Sequence, residues 1–149
     1  SKDDEGNKVK EVKDGMDITL CAYDSKTQTL EFSGAYNPLY HVRNGQLTEY
    51  KADKFPIGKS AIHSGESEFT NQIIKIEKGD MVYLFSDGYA DQIGGPNKKK
   101  FYYSPFKQLL AANSTLSMDV QRDILDKNIT DWIHDRDQVD DIIVMGVKF

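Results

Sequence analysis

An α+β fold, with largely antiparallel β-sheets packed against helices, is what this sequence predicts, and three observations predict it. Apolar and polar residues alternate with a period of two through most of the first half. Tight polar turns, Asp24-Ser25-Lys26-Thr27 and Asn44-Gly45, join those segments as hairpins. The two stretches with helical spacing come late and sit between strand-like segments instead of following each one, as a parallel α/β fold would require.

The elements follow in order. Residues 1–14 are polar and charged, with Val9 and Val12 as their only aliphatics, and read as a linker or disordered loop ahead of one domain over 15–149. In Ile18-Thr19-Leu20-Cys21-Ala22-Tyr23, alternate residues point to opposite faces, and Thr29 to Ser33 restarts that period after the turn. Leu39 to Arg43 and Leu47 to Tyr50 form a second hairpin across Asn44-Gly45, a pair suited to the positive φ angles of a type I′ turn. Lys51 to Glu66, with Pro56, Gly58 and Gly65, has no sustained period and reads as a long covering loop. Phe69 to Ile76 is strand-like, and Met81-Val82-Tyr83-Leu84-Phe85 is continuously apolar, as a central strand buried on both faces would be. After the polar loop Gly94 to Lys100, Ser104-Pro105 opens a short helix through Ala112, and Ser117 caps a longer one. In that helix Leu125, Ile129, Trp132 and Ile133 share one apolar face. Ile142 to Val147 carries a second buried-strand signature.

Composition narrows the classes of function. The 149 residues are 38% hydrophobic, enough for one core, and 19 basic against 24 acidic residues leave a net charge of −5. That balance disfavours a partner such as a nucleic acid or an anionic membrane. No apolar run approaches the roughly 20 residues that cross a bilayer, so a soluble segment is expected. Cys21 is the single cysteine, which excludes an internal disulfide and fits a reducing, cytoplasmic setting. The sequence starts at Ser1 without a Met, and the expectation is an excised segment whose length bounds the fragment and not the biological unit.

Chemistry concentrates where apolar strands meet aspartates. Met81 to Phe85 runs into Ser86-Asp87-Gly88, and Ile142 to Val147 follows Asp140-Asp141. A carboxylate beside a central strand is costly to desolvate unless a cation compensates it, and several Asp without clustered His or Cys suit Mg²⁺ or Mn²⁺. The same residues also suit an Asp-Gly turn and a polar loop before a strand. His41, His63 and His134 have no ligand spacing between them, and Cys21 reads as a small buried hydrophobe. Lys98-Lys99-Lys100 is a solvated loop or a field that steers an anionic partner. Neither a Gly-x-Ser-x-Gly elbow nor a phosphate-binding Gly-Lys-Ser/Thr loop occurs.

Phe85-Ser86-Asp87-Gly88-Tyr89-Ala90-Asp91 resembles the second signature of the metal-dependent (PPM, type 2C-like) serine/threonine protein phosphatases, and Asp140-Asp141-Ile142 resembles their terminal signature. Gly15-Met16-Asp17, Ser33-Gly34-Ala35-Tyr36-Asn37-Pro38-Leu39, Pro56-Ile57-Gly58 and Gly79-Asp80 look like further landmarks in the order of the SpoIIE/RsbU branch. The resemblance runs from about Gly15 to Phe149.

It implies the C-terminal portion of a PPM-like α/β/β/α sandwich in a bacterial signalling protein. In that family two Mn²⁺ or Mg²⁺ ions activate water against a phosphoserine or phosphothreonine. Carried over by motif, Asp87 and Asp140 are metal ligands, and Asp141 a ligand or its support. Gly88 and Asp91 border the metals, and Asp91 is a candidate for an additional ion. Ile143 stands where the family has a threonine. Nothing in residues 1–14 resembles the first signature, an Asp with a Gly-His-Gly turn, so this segment alone is expected to bind metal poorly and to be inactive. The implied partners are a phosphorylated regulatory protein such as an anti-sigma-factor antagonist and an upstream sensor domain. The implied location is the cytoplasm, or the cytoplasmic part of a membrane-anchored sensor. The alternative is a non-catalytic phosphatase-like module that senses or binds protein.

Overall fold

The computed structural model describes residues 15–58 and 68–149. The expectations for residues 1–14, for His63 and for the second half of the Lys51 to Glu66 loop lie outside the described residues. Two antiparallel sheets form the frame. The first has the order β1-β2-β5, from β1 (Ile18–Asp24), β2 (Thr29–Ala35) and β5 (Gln72–Lys75). The second has the order β4-β3-β6-β9, from β3 (Leu39–Arg43), β4 (Gln46–Tyr50), β6 (Met81–Phe85) and β9 (Val144–Lys148). The β3–β4 turn has φ of 51° at Asn44 and 74° at Gly45, the conformation for which that dipeptide is suited.

Alternation along β3 and β6 divides the core in two. Tyr40, Val42, Met81, Tyr83 and Phe85 project to one side, against helices. Leu39 and Val82 project to the other, against Leu30, Phe32, Ile74 and Ile76 of the first sheet. The helices are α1 (Gly88–Asp91), α2 (Tyr103–Asn113) and α3 (Met118–Ile133). Between α1 and α2 the expected loop folds into a two-rung hairpin, β7 (Ile93–Gly94) with β8 (Lys99–Lys100). Ser117 caps α3 as expected, its Oγ accepting from the Val120 amide at 3.4 Å. Leu125, Ile129, Trp132 and Ile133 turn onto the helix-side core, with Phe106 and Leu110 of α2. The layers are therefore helices, sheet, sheet. Among the described residues no helix is long and apolar enough to cross a membrane.

Two strand expectations change. Phe69 to Ile76 contracts to Gln72–Lys75, because only those residues find partners on β2. Ile142 to Val147 is not a buried strand: β9 starts at Val144 and, among the described residues, pairs on one side only, and Met145 is 57% exposed. An apolar run marks a strand, while its burial depends on what lies beside it. The outward face of the first sheet is likewise open among the described residues, with Leu20 and Ile73 exposed.

Away from the aspartate motifs, a buried ionic cluster ties β3 to the turn before β6. Arg43 donates to both oxygens of Asp80, Nε to Oδ1 at 2.9 Å and Nη2 to Oδ2 at 2.7 Å. His41 Nε2 lies 2.8 Å from Oδ2, and the Glu77 amide donates to the same oxygen at 2.9 Å. Burial by itself would raise the Asp80 carboxyl, but Arg43, the Glu77 amide and His41 outweigh it and hold it well below the usual carboxylate range.

Candidate metal centre

The site forms because β6 and β9 are antiparallel neighbours. Phe85, the last residue of β6, is paired with Val144, the first of β9. The residues just beyond Phe85 and just before Val144 therefore share one end of the sheet. Asp87 and Asp140, 53 positions apart in the chain, are brought together by that register.

Locally, the chain leaves β6 at Ser86 and enters α1 at Gly88, with the Asp91 amide donating to the Asp87 carbonyl at 2.9 Å. Gly88 is required by a close approach: a Cβ there would overlap the Asp141 carbonyl oxygen and stand 3.3 Å from the Ile142 side chain. Asp141 thus meets the site through its backbone. Its carbonyl accepts from Ser86 Oγ at 2.7 Å, while its own amide donates to the Asp140 carboxylate at 2.7 Å. Asp91 sits one turn along from Asp87, where its carboxylate takes the Lys100 ammonium at 2.9 Å.

Electrostatics single out Asp87. Partial burial raises its carboxyl, and repulsion from Asp140, Asp91 and Asp17 adds to that. Among the described residues neither Asp87 nor Asp140 has a cationic side chain within salt-bridge distance; Lys100, paired with Asp91, feels the Asp87 charge without bonding to it. Tyr103, at the start of α2, feels the same field: burial, Asp91 and Asp87 all raise its hydroxyl. An all-oxygen set of like charges fits a hard divalent cation and no softer metal. The set is incomplete as a cage, since no three His, Cys, Asp or Glu side chains gather closely enough to hold an ion among the described residues.

The structure brings Asp87, Gly88, Asp91, Asp140 and Asp141 to this one end. Sequence reasoning missed three residues there. Asp17 lies in the Gly15-Met16-Asp17 landmark, whose resemblance carries no ligand role, yet its charge reaches Asp87. Ser86 was legible only as a neighbour of Asp87. Gln92 gave no signal, since a buried glutamine is invisible in composition or period, yet it is fully buried and bonded to the loop that leads to Asp140. Cys21 is unsuited to nucleophilic chemistry, because burial pushes its thiol up to about 11. His41 is engaged with Asp80, and His134 is exposed next to Asp135.

The family model for stage II sporulation protein E (SpoIIE) matches residues 6–149. No curated protein matches the chain by sequence. Among solved structures, the SiaA-PP2C domain of Pseudomonas aeruginosa is 25% identical with a TM-score of 0.81, over 89% of this chain and 51% of that one. The phosphatase domain of the cell fate determinant SpoIIE from Bacillus subtilis, presoaked with Mn, is 20% identical with a TM-score of 0.64, over 89% and 55%. PppA of Pseudomonas aeruginosa, a key regulatory component of T6SS, is 17% identical with a TM-score of 0.58, over 90% and 57%. The chain thus spans about half the length of the structures it matches. The two less similar structures support the fold, whose antiparallel sheets with helices agree with the α+β expectation.

Proposed function

The chain belongs to the SpoIIE family, and from that premise we propose that it is part of a serine/threonine protein phosphatase domain whose metal ligands include Asp87 and Asp140. The observation that carries this reading is the convergence of those two carboxylates at the β6–β9 end, neither paired with a cationic side chain among the described residues, where burial and then repulsion from Asp140 raise the Asp87 carboxyl. Similarity to a SpoIIE phosphatase domain presoaked with Mn supports a hard divalent ion, Mn²⁺ or Mg²⁺, and two ions in the intact domain are part of the proposal.

A divalent ion held there supplies Lewis-acid chemistry, neutralising charge on a phosphoryl group and acidifying water. The chain's own residues do the rest. Asp87 and Asp140 offer the negative charge that retains the ion, and Asp141 fixes the Asp140 carboxylate through its amide. Lys100 balances Asp91 and orients it at the rim, so that Asp91 borders the site and is the candidate for an additional ion. Gly88 admits the Asp140–Asp141 segment against α1. The proposed substrate is a phosphoserine or phosphothreonine on a regulatory protein, of which an anti-sigma-factor antagonist is one class, in the cytoplasm.

A second reading, a non-catalytic phosphatase-like module that binds protein, draws on the incomplete ligand set among the described residues. One assay separates the two. The full-length gene product is tested with Mn²⁺ on a phosphorylated regulatory protein and on a generic phosphoester, beside Asp87→Ala. Metal-dependent hydrolysis that falls at least about 100-fold in the variant supports the enzyme, on the scale of losing a group that stabilises transition-state charge. No metal-dependent hydrolysis, or a variant as active as the parent, supports the binding module.

A further inference from the structure

The segment that carries Asp140 runs from the end of α3 to the start of β9 and has no regular secondary structure of its own. It is nevertheless bonded on both sides of Asp140, and five bonds come from two residues that flank α1. Ser86, immediately before Asp87, makes three of them: its Oγ donates to the Asp141 carbonyl at 2.7 Å and accepts from the Ile143 amide at 3.0 Å, and its amide donates to the Ile143 carbonyl at 3.0 Å. Gln92, immediately after Asp91, makes the others: its Nε2 donates to the Asp137 carbonyl at 3.0 Å and its Oε1 accepts from the Val139 amide at 3.2 Å.

Gln92 has no exposed surface, and a buried carboxamide is costly unless its donors and acceptor are used. Its remaining donor contact is the neighbouring Ile93 carbonyl, at 3.0 Å. Its backbone carbonyl is fixed in turn by the Trp132 indole N–H at 3.0 Å and the Phe101 amide at 2.9 Å. The carboxamide is therefore a rigid fork held in the core and pointed at the loop. Two segments that each present a carboxylate are joined at residues 86 and 92 on one side and at residues 137–139 and 141–143 on the other.

We propose that Ser86 and Gln92 are positioning residues that set where Asp140 stands relative to Asp87, and thereby set the affinity of the site for a divalent cation; this rests on the metal-site reading above. Two like charges on separate segments drift apart in the absence of an ion unless other bonds hold them, and these two side chains hold them before any ion arrives. Partners that orient metal ligands from behind contribute about 10–100-fold in metal affinity.

The test uses the full-length gene product with Ser86→Ala, Ser86→Thr, Gln92→Met and Asp87→Asn. Mn²⁺ affinity is read by calorimetry, and amide hydrogen exchange is read on the metal-free protein. The expected result is a Mn²⁺ dissociation constant raised about tenfold or more by Ser86→Ala and by Gln92→Met. Exchange should quicken at Val139 or Ile143 while the strands of both sheets keep their protection, and Ser86→Thr, which restores the hydroxyl, should regain affinity. If Gln92→Met does not fold, Ser86→Ala decides. A folded Ser86→Ala protein with unchanged Mn²⁺ affinity overturns the proposal, as does faster exchange spread evenly over both sheets. If the parent binds Mn²⁺, Asp87→Asn abolishes that binding and Ser86→Ala leaves it intact, only the positioning role fails. If the parent binds no Mn²⁺, the metal-site reading fails and this role falls with it.

Discussion

Gly88 lies directly beneath the Asp141 carbonyl, and there is no space between them for even a methyl group. The contact joins the start of α1 to the segment that carries Asp140. It explains in steric terms why glycine follows Asp87 at this turn, independently of any ligand.

Gly88→Ala is expected to push the Asp140–Asp141 segment off α1. Overpacking of this kind costs about 1–3 kcal/mol. Urea unfolding of the full-length protein would show the lower midpoint, and Mn²⁺ titration the weaker binding. A variant as stable as the parent, with the same metal affinity, contradicts the contact.

Asp87→Asn should have opposite effects with and without metal. In the metal-free protein it removes a charge that burial, Asp140, Asp91 and Asp17 all oppose, so the thermal midpoint rises. With Mn²⁺ at 100 times its dissociation constant the parent gains about 2.7 kcal/mol and the variant little. Thermal melts of both proteins, with and without Mn²⁺, check the crossover.

Asp80 makes stability depend on acid. Its folded-state carboxyl is held below the unfolded value of about 3.9, so its contribution is complete above that value and is lost as pH falls below it. Asp80→Ala leaves Arg43 and His41 without their buried partner and should cost about 3–5 kcal/mol at neutral pH. Unfolding followed from pH 7 to pH 3 should show the gap between parent and variant constant down to about pH 4 and narrowing below it, as Asp80 takes up a proton in the unfolded chain while the folded carboxylate stays ionised.

The open face of the first sheet predicts behaviour in solution. Leu20 and Ile73 are 63% and 67% exposed, and isolated apolar sheet surface promotes association. The 149-residue chain expressed alone should self-associate, and Leu20→Lys with Ile73→Lys should reduce this while changing stability by under about 0.5 kcal/mol, the usual range for surface substitutions. Sedimentation velocity at several concentrations gives the result.

Much of this architecture was legible because its signals are local. The alternation in Ile18 to Tyr23, the Asn44-Gly45 turn and the Ser117 cap each depend on residues a few positions apart, and each reappears in place. The candidate ligands were legible by resemblance, because Asp87 and Asp140 lie in short contiguous motifs. Gln92 was not, since its role consists of bonds to residues 45 and 47 positions away.

By itself the sequence determined the hairpin strands, the two long helices, the Asn44-Gly45 turn and the two aspartate motifs, since backbone preference and side-chain period are properties of neighbouring residues, but neither the short helix at Gly88–Asp91 nor the β7–β8 hairpin. Tertiary structure decided that the motifs meet, because the antiparallel register of β6 with β9 sets Phe85 opposite Val144. It also decided that the apolar run Ile142 to Val147 forms a half-exposed edge, because burial depends on which chain segment lies alongside, and in this sheet β9 has a neighbour on one side only among the described residues.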